Sequence, residues 1–354
     1  MRARAFSAVA LLALVAAACG NEIPVEEGQD GGTTTTVPGE VFPLTGMPAP
    51  SAEAIARPAM AVKISNAEEA RPPRGLNQTD VVFEERVEAG ITRLVAIFQS
   101  ADAAPVGPIR SARNSDLDIL AALDRPILVW GGANEGVAAA IGDANLVSFN
   151  VDPDRAENKF RDPERPAPDN LFIDSTQVFY EQAADASPSP ALFSYRAEQE
   201  RAGGTPSPGV HIDYGGLAVD FVWEPGRAGW ARLQTDTPHV DDVGEVVAPE
   251  NVVVLFTEYA AAAADPRSPQ AQTVGSGEAI VMTGGNAIQA RWERAAAGDS
   301  WTLTDAQTGE PVALTPGQTW VALPEPGGAT LLDQPRADQL TGLLPAPPAT
   351  PAPG

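Results

Sequence analysis

VVFEERVEAGITRLVAIF, residues 81–98, decides the fold. Two apolar runs, Val81 to Val87 and Ile91 to Phe98, meet at Glu88-Ala89-Gly90 and read as two strands joined by a tight turn. Successive side chains on a strand point to opposite faces. Val81, Phe83, Glu85 and Val87 therefore share one face, and Val82, Glu84, Arg86 and Glu88 the other. Glu85 sits among apolar neighbours, as does Arg93 between Ile91, Val95 and Ile97 on the next strand. A half-buried charge needs a partner. Two readings follow: a structural ion pair between Glu85 and Arg93, or a cleft with acidic walls.

Around this hairpin the chain alternates strand and helix. Ala59 to Ile64 is a short apolar strand, and Arg71-Pro72-Pro73-Arg74-Gly75 is a break. Residues 114–124 place Leu117, Leu120, Ala121 and Leu123 on one helical face; Pro126 ends that helix, and Ile127 to Trp130 is a strand. Residues 134–142 predict a second helix, 152–170 a long surface loop, and Gln177 to Ala184 a third helix. A mixed α/β domain over 42–195 is expected. Residues 196–209, polar and rich in Gly, Pro and Ala, read as a linker. Beyond them, Val210–Ile212, Ala218–Trp223, Gly229–Gln234, Asn251–Phe256, Ala279–Met282, Ala287–Trp292, Trp301–Leu303 and Thr319–Leu323 read as short strands, many punctuated by Gly or Pro. The fold class is α+β: an N-terminal mixed domain followed by a mostly β domain over 210–342, a sandwich or barrel-like unit. Residues 343–354 read as a disordered Pro/Ala tail.

The amino terminus carries an address. Arg2 and Arg4 precede an apolar run from Phe6 to Ala18, and small residues lead into Cys19 and Gly20. The run is too short for a membrane-spanning helix, which needs roughly 20 apolar residues. The order fits a bacterial lipoprotein signal over 1–19, with cleavage before Cys19 and acylation of that residue. Acyl chains contribute about 0.8 kcal/mol per buried methylene, so two or three would hold the protein to the outer face of the cytoplasmic membrane. Residues 20–41 hold almost no large apolar side chain and read as a flexible tether, about 25 Å in root-mean-square span.

Composition narrows the chemistry. Cys19 is the one cysteine, so no disulfide or thiolate chemistry is expected in the body. A net charge of -24 repels phosphate backbones, which argues against nucleic acid as a partner. No cofactor motif is present.

The site residues that remain gather in a few places. Gly107-Pro108-Ile109-Arg110-Ser111-Ala112-Arg113-Asn114 places two arginines, a Ser and an Asn at a helix start. Guanidinium forks bind carboxylate or phosphate bidentately; equally, Arg110 and Arg113 would answer Glu84 and Glu85 in a buried network. Ser111 lacks a neighbouring base in the sequence. His239 with Asp241 is a weak metal signature without HExxH or Cys/His spacing, and none is expected to bind metal; Asp152-Pro153-Asp154 resembles only the start of a calcium loop. Asp169, Asn170, Arg232, His239 and Asp241 complete the candidates.

Several motifs in order resemble the YerB-like family of bacterial lipoproteins. They are Pro43-Leu44-Thr45-Gly46; Arg57-Pro58 with Val62, Asn66 and Ala70-Arg71-Pro72; Asp80 to Glu84 with Val87 to Arg93; and GPIRSAR at 107–113, the most specific. In the second half Trp230-Ala231-Arg232, His239-Val240-Asp241, Asn251 to Val254 and Leu314 to Trp320 continue the match. The resemblance spans about Leu44 to Pro324. It implies a mixed domain followed by a β-rich domain, both of unknown function, on the outer face of the cytoplasmic membrane. It brings no established reaction. Where relatives tend to carry His, this chain has Asp169.

Two classes of function are compatible with these residues. One is a non-enzymatic envelope lipoprotein that binds a cell-wall component or a membrane protein, as a scaffold or regulator. The other is an enzyme on an envelope polymer, with Glu84, Glu85, Arg110 and Arg113 lining a cleft; a solute-binding protein is a third option. Adjacent residues on a strand face opposite ways, which speaks against Glu84 and Glu85 as one acid–base pair.

Overall fold

Strands β1 (Met60–Ser65), β2 (Val81–Arg86) and β3 (Thr92–Phe98), which follow the short helix α1 (Ala52–Ile55), form the centre of the fold. β2 and β3 pair antiparallel with Phe83 opposite Val95 and Glu85 opposite Arg93, and β1 flanks β3 antiparallel. The hairpin turns through Ala89 and Gly90, both with positive φ; glycine adopts that conformation without strain. Helix α2 (Asn114–Leu120) leads to β4 (Ile127–Trp130), and helix α3 (Glu135–Asp143) to β5 (Val147–Asn150). These two strands extend the sheet in parallel from β1. This computed structural model describes residues 40–151, 159–197 and 199–347. The signal segment with Cys19, most of the tether, Asp152-Pro153-Asp154 and the end of the tail lie outside the described residues.

The stretch expected to be loop over 152–170 is partly strand. β6 (Lys159–Arg161) pairs with β7 (Leu171–Ile173), just before helix α4 (Ser175–Gln182). The second half begins with β8 (Thr205–Pro206), β9 (Gly209–Asp213), β10 (Ala218–Glu224), β11 (Gly229–Gln234) and β12 (Thr237–Pro238). Then come β13 (Asn251–Leu255), β14 (Tyr259–Ala261), β15 (Pro269–Ala271), β16 (Gly275–Thr283), β17 (Asn286–Arg294) and β18 (Thr302–Asp305). β19 (Thr319–Leu323), β20 (Ala329–Leu331) and helix α5 (Gln334–Thr341) close the chain.

Strands from both sides of residues 196–209 share one sheet. Its order is β18-β17-β16-β13-β19-β2-β3-β1-β4-β5, with β8 on β17. β19 lies parallel to β13 on one side and to β2 on the other. The β-rich second half therefore does not close into a sandwich or barrel of its own: part of it extends the first half's sheet. The remainder, in the order β12-β11-β10-β9-β20, forms a second sheet.

The reason lies in the central strands. Every residue of β1 and β3 is buried, so both faces of the sheet need cover. Val81, Phe83, Val95 and Ile97 pack with Ile119, Leu120 and Val137 from the helices. Val82, Leu94 and Ala96 share the opposite core with Phe221 and Trp230 of the second sheet. Of the tail read as disordered from residue 343, the first residues lie against the second half, where Arg227 Nη2 donates to the Pro345 carbonyl at 2.6 Å.

Candidate functional site

Glu84 and Glu85 leave β2 on opposite faces, and both side chains are fully buried. Glu85 faces the helices. Its partner is Lys63 of β1 rather than Arg93; the Lys63 ammonium also donates to Asp116 Oδ1 at 2.6 Å. The expected Glu85–Arg93 pair is absent, although the two residues stand opposite in register. Lys63 projects from β1 onto the same face as Glu85, and α2 delivers a second carboxylate there. Burial pushes the Glu85 carboxyl up to about 7; Lys63 opposes that shift and Asp116 adds to it. Asp116 also accepts from the Arg113 backbone N–H at 2.7 Å, which ties this interior triad to the start of α2.

Glu84 faces the second sheet. Oε1 accepts from Arg232 Nη2 at 2.9 Å, Asn66 Nδ2 at 3.1 Å and Thr92 Oγ1 at 2.8 Å, and Oε2 accepts from Trp320 Nε1 at 3.0 Å. Neither glutamate reaches solvent, so the acid-walled cleft that one reading of the sequence anticipates is not built from them. Arg232 is one of the sequence candidates, and nothing in periodicity points to its partner 148 residues away.

The GPIRSAR segment is pinned by its backbone to β1, to the residue after β4 and to β7. Ile109 N–H donates to the Leu171 carbonyl, Arg110 N–H to the Lys63 carbonyl, and Gly131 N–H to the Arg110 carbonyl. Gly107 has φ of 150°, and a Cβ there would stand 2.8 Å from the Leu171 carbonyl oxygen, so the motif opens on the one residue that fits.

Three guanidiniums then gather along this segment. Arg93 Nη1 donates to the Ser111 carbonyl at 2.9 Å, and Arg113 Nη1 approaches the same oxygen at 3.4 Å. Arg113 forks onto Glu88 at 2.7 to 3.1 Å. Burial disfavours the charge on Glu88, but Arg113 and Ser268 overcome it and hold that carboxyl at about 2. Arg110 Nη1 lies 3.5 Å from Asp169 Oδ1, too far for a good hydrogen bond, and neither atom has a hydrogen-bond partner. Asp169 thus gives Arg110 a counter-charge. Burial, then the charges of Arg113 and Arg110, push the Arg93 guanidinium down to about 10. Arg110 and Arg113 are partly exposed while Arg93 is buried, and Asn114 Oδ1 is a further buried atom without a hydrogen-bond partner.

The other candidates disperse. Ser111 Oγ donates to the Gly131 carbonyl at 3.4 Å, a contact that does not activate it. Asn170 Oδ1 accepts from Arg161 at 2.7 Å. Asp241 Oδ1 receives the N–H groups of Val243 and Glu245, and its Oδ2 receives Asn77. Asp241 also lines a cavity of about 860 Å³ with Asp80, Glu245, Glu250 and Gln318. His239 is buried against Arg232, away from any carboxylate cluster. Among the described residues no group of three or more His, Cys, Asp or Glu side chains could hold a metal ion.

Residues 44–189 match the N-terminal domain, and residues 210–321 the C-terminal domain, of the family described as "Protein of unknown function (DUF3048)". The chain belongs to the DUF3048 family. It is 26% identical over 292 residues to the Bacillus subtilis (strain 168) protein named "Putative lipoprotein YerB", covering 79% of this chain and 84% of that one. The crystal structure of the YerB protein from Bacillus subtilis has the same fold, with a TM-score of 0.71 at 24% identity over 83% of this chain and 99% of that chain. The boundary read at 196–209 falls between the two DUF3048 segments, although strands of both pair in space. No helix among the described residues is long and apolar enough to cross a membrane.

Proposed function

We propose that the protein is a non-enzymatic binding lipoprotein of the cell envelope. It is anchored through acylated Cys19 on the extracytoplasmic face and presents the Arg93–Arg110–Arg113 cluster to an anionic group of a wall component or membrane partner. One observation carries this reading: the carboxylates that would do acid–base chemistry are sealed in buried networks, while Arg110 and Arg113 are partly exposed beside the buried Arg93, with Arg110 poorly paired. Guanidinium forks favour carboxylate and phosphate oxygens. A relative named as a lipoprotein supports the anchor.

The test is a thermal-shift screen of the chain from Gly20 onward with muropeptides, lipid-linked wall precursors and phosphodiester polymers. Arg110→Ala is expected to fold with a loss below about 1 kcal/mol, because its ion pair is long and partly exposed. A ligand that raises the melting temperature of the native protein should fail to do so for this variant. If no anionic compound shifts the native protein, the arginines are structural. For the anchor, Cys19→Ala should move the protein from the membrane fraction to the soluble fraction; an unchanged distribution would rule acylation out.

A further inference from the structure

Turns from distant parts of the chain meet at the tip of the β2–β3 hairpin: the hairpin turn itself, the β9–β10 turn, the β14–β15 hairpin and the loop that follows β19. Between them lie three cavities of about 240, 330 and 270 Å³, and Arg86, the last residue of β2, lines all three. The first and second also share Tyr214 and Gly215, the second and third share Arg267 and Pro269, and the first and third share Tyr259. They form one groove wrapped around Arg86. Arg86 Nη1 and Nη2 fork onto Glu325 at 2.7 and 3.1 Å, its backbone N–H donates to Tyr259 Oη at 3.0 Å, and its guanidinium lies 4.5 Å from the Tyr259 ring centroid. Tyr259 in turn donates to the Leu323 carbonyl at 2.7 Å. The two turns at Gly90 and Gly216 touch backbone to backbone: a Cβ on Gly216 would stand 2.8 Å from the Gly90 carbonyl oxygen. Gly215, by contrast, has φ of 85° and open space where a side chain would stand, so glycine there permits the turn and leaves the groove unfilled.

The charges around this groove are matched. Arg86 has Glu325, Arg267 has Asp265 at 3.1 Å, and Glu88 has Arg113, while Asp213 adds a further carboxylate. Among the described residues that line the groove, no cation is left over for a free anion. The Arg86–Glu325 fork uses one N–H on each terminal nitrogen and one lone pair on each carboxylate oxygen; the others remain, and both side chains are partly exposed. Donors and acceptors thus stand side by side on one plane. A sugar hydroxyl both donates and accepts, so a row of hydroxyls matches such a rim where a bare anion does not. We propose that the groove around Arg86 binds a neutral glycan strand, its hydroxyls held by Arg86, Glu325 and Arg267. Ligand sites favour clefts where separate units meet, and three connected cavities suit successive sugar units. The site does not use the Arg93–Arg110–Arg113 cluster, and it stands or falls without it.

The experiment uses the chain from Gly20 onward carrying Arg110→Ala, so that the arginine cluster is silenced. Chitotetraose and maltotetraose are titrated by isothermal calorimetry and saturation-transfer NMR, with tetragalacturonate as the charged control and acetyl-tetra-alanine amide as the peptide control. At least one neutral tetrasaccharide is expected to bind saturably and more tightly than either control. Adding Arg86→Ala removes the donor side of the fork and should weaken the apparent Kd roughly tenfold or more. Adding Ala260→Trp instead, at an exposed strand position that lines the groove, should abolish binding by filling the space, with the circular-dichroism spectrum unchanged. Binding of neither tetrasaccharide, equal or tighter binding of the galacturonate or the peptide, or undiminished binding by either variant would each overturn the proposal. Because the arginine cluster is already disabled, failure here says nothing against the anion-binding reading, and loss of that reading leaves this result unchanged.

Discussion

Lys63→Met is expected to unfold the protein at pH 8 and to be partly rescued by acid. Lys63 is a fully buried cation held by two fully buried carboxylates, Glu85 and Asp116. Removing the ammonium strands both. Breaking a buried ion pair from one side costs about 3–5 kcal/mol, a large part of the roughly 5–15 kcal/mol that holds a domain together. The pH dependence follows from Glu85. Its folded-state value, pushed by burial to about 7 from 4.5, lies above the unfolded one. A carboxyl of that kind binds its proton more tightly when folded. Its contribution is therefore fully present below about pH 4.5 and is lost as pH rises through about 7, on the order of 3 kcal/mol at most. The native protein should accordingly lose melting temperature between pH 5 and 8. Without Lys63 the carboxyl rises further, so the variant should lose more stability over that interval. Near pH 5 it should approach the native protein, and Lys63→Met/Glu85→Gln should recover much of the loss at pH 8. Circular-dichroism melts at pH 5 and 8 decide this: an equal deficit at both would mean that Lys63 acts by packing alone.

The residues behind that prediction also mark where the sequence stops being readable. The β2–β3 hairpin, its turn and the misfit of Glu85 follow from alternation along the strand. Which cation answers Glu85 does not. Arg93 is its register neighbour, but Lys63, hidden in the run Ala59 to Ile64, reaches it across β3 from β1. Asp116 reads as a polar residue off the apolar face of a helix, yet it caps α2 and completes the triad. Arg110 and Arg113 were legible as a pair because GPIRSAR is local, but that Arg93 joins them, and that they answer Asp169 and Glu88 rather than Glu84 and Glu85, was not. The single sheet was not. It depends on β19 lying parallel to β2, residues more than two hundred positions apart, and no local period encodes a pairing at that separation. Eight of the second half's strands were recognisable one by one, whereas the short β8, β12, β14, β15 and β20 were not, and the sheet each would join depended on the apolar faces that β1 and β3 leave open.

Arg232→Met should cost about 3–5 kcal/mol, because it leaves the Glu84 carboxylate in the interior with neutral donors only. Asn66, Thr92 and Trp320 still satisfy its oxygens, but none of them balances its charge. The Arg232 guanidinium lies 4.8 Å from the Trp320 ring centroid and 5.9 Å from that of Phe221, so methionine replaces much of the packing and the deficit is mainly electrostatic. Glu84→Gln in the same chain should therefore restore most of the stability, and the double-mutant cycle should give a coupling of about 2 kcal/mol or more. Urea unfolding of the four proteins measures it. The shape of the transition carries a second test. Glu84 belongs to the first half and Arg232 to the second, and β19 binds both halves in one sheet. Weakening the seam should lower the midpoint while tryptophan fluorescence and circular dichroism still change together. If Arg232→Met instead splits the transition in two, with the second half melting first, the halves are separately stable and the shared sheet adds little cooperativity between them.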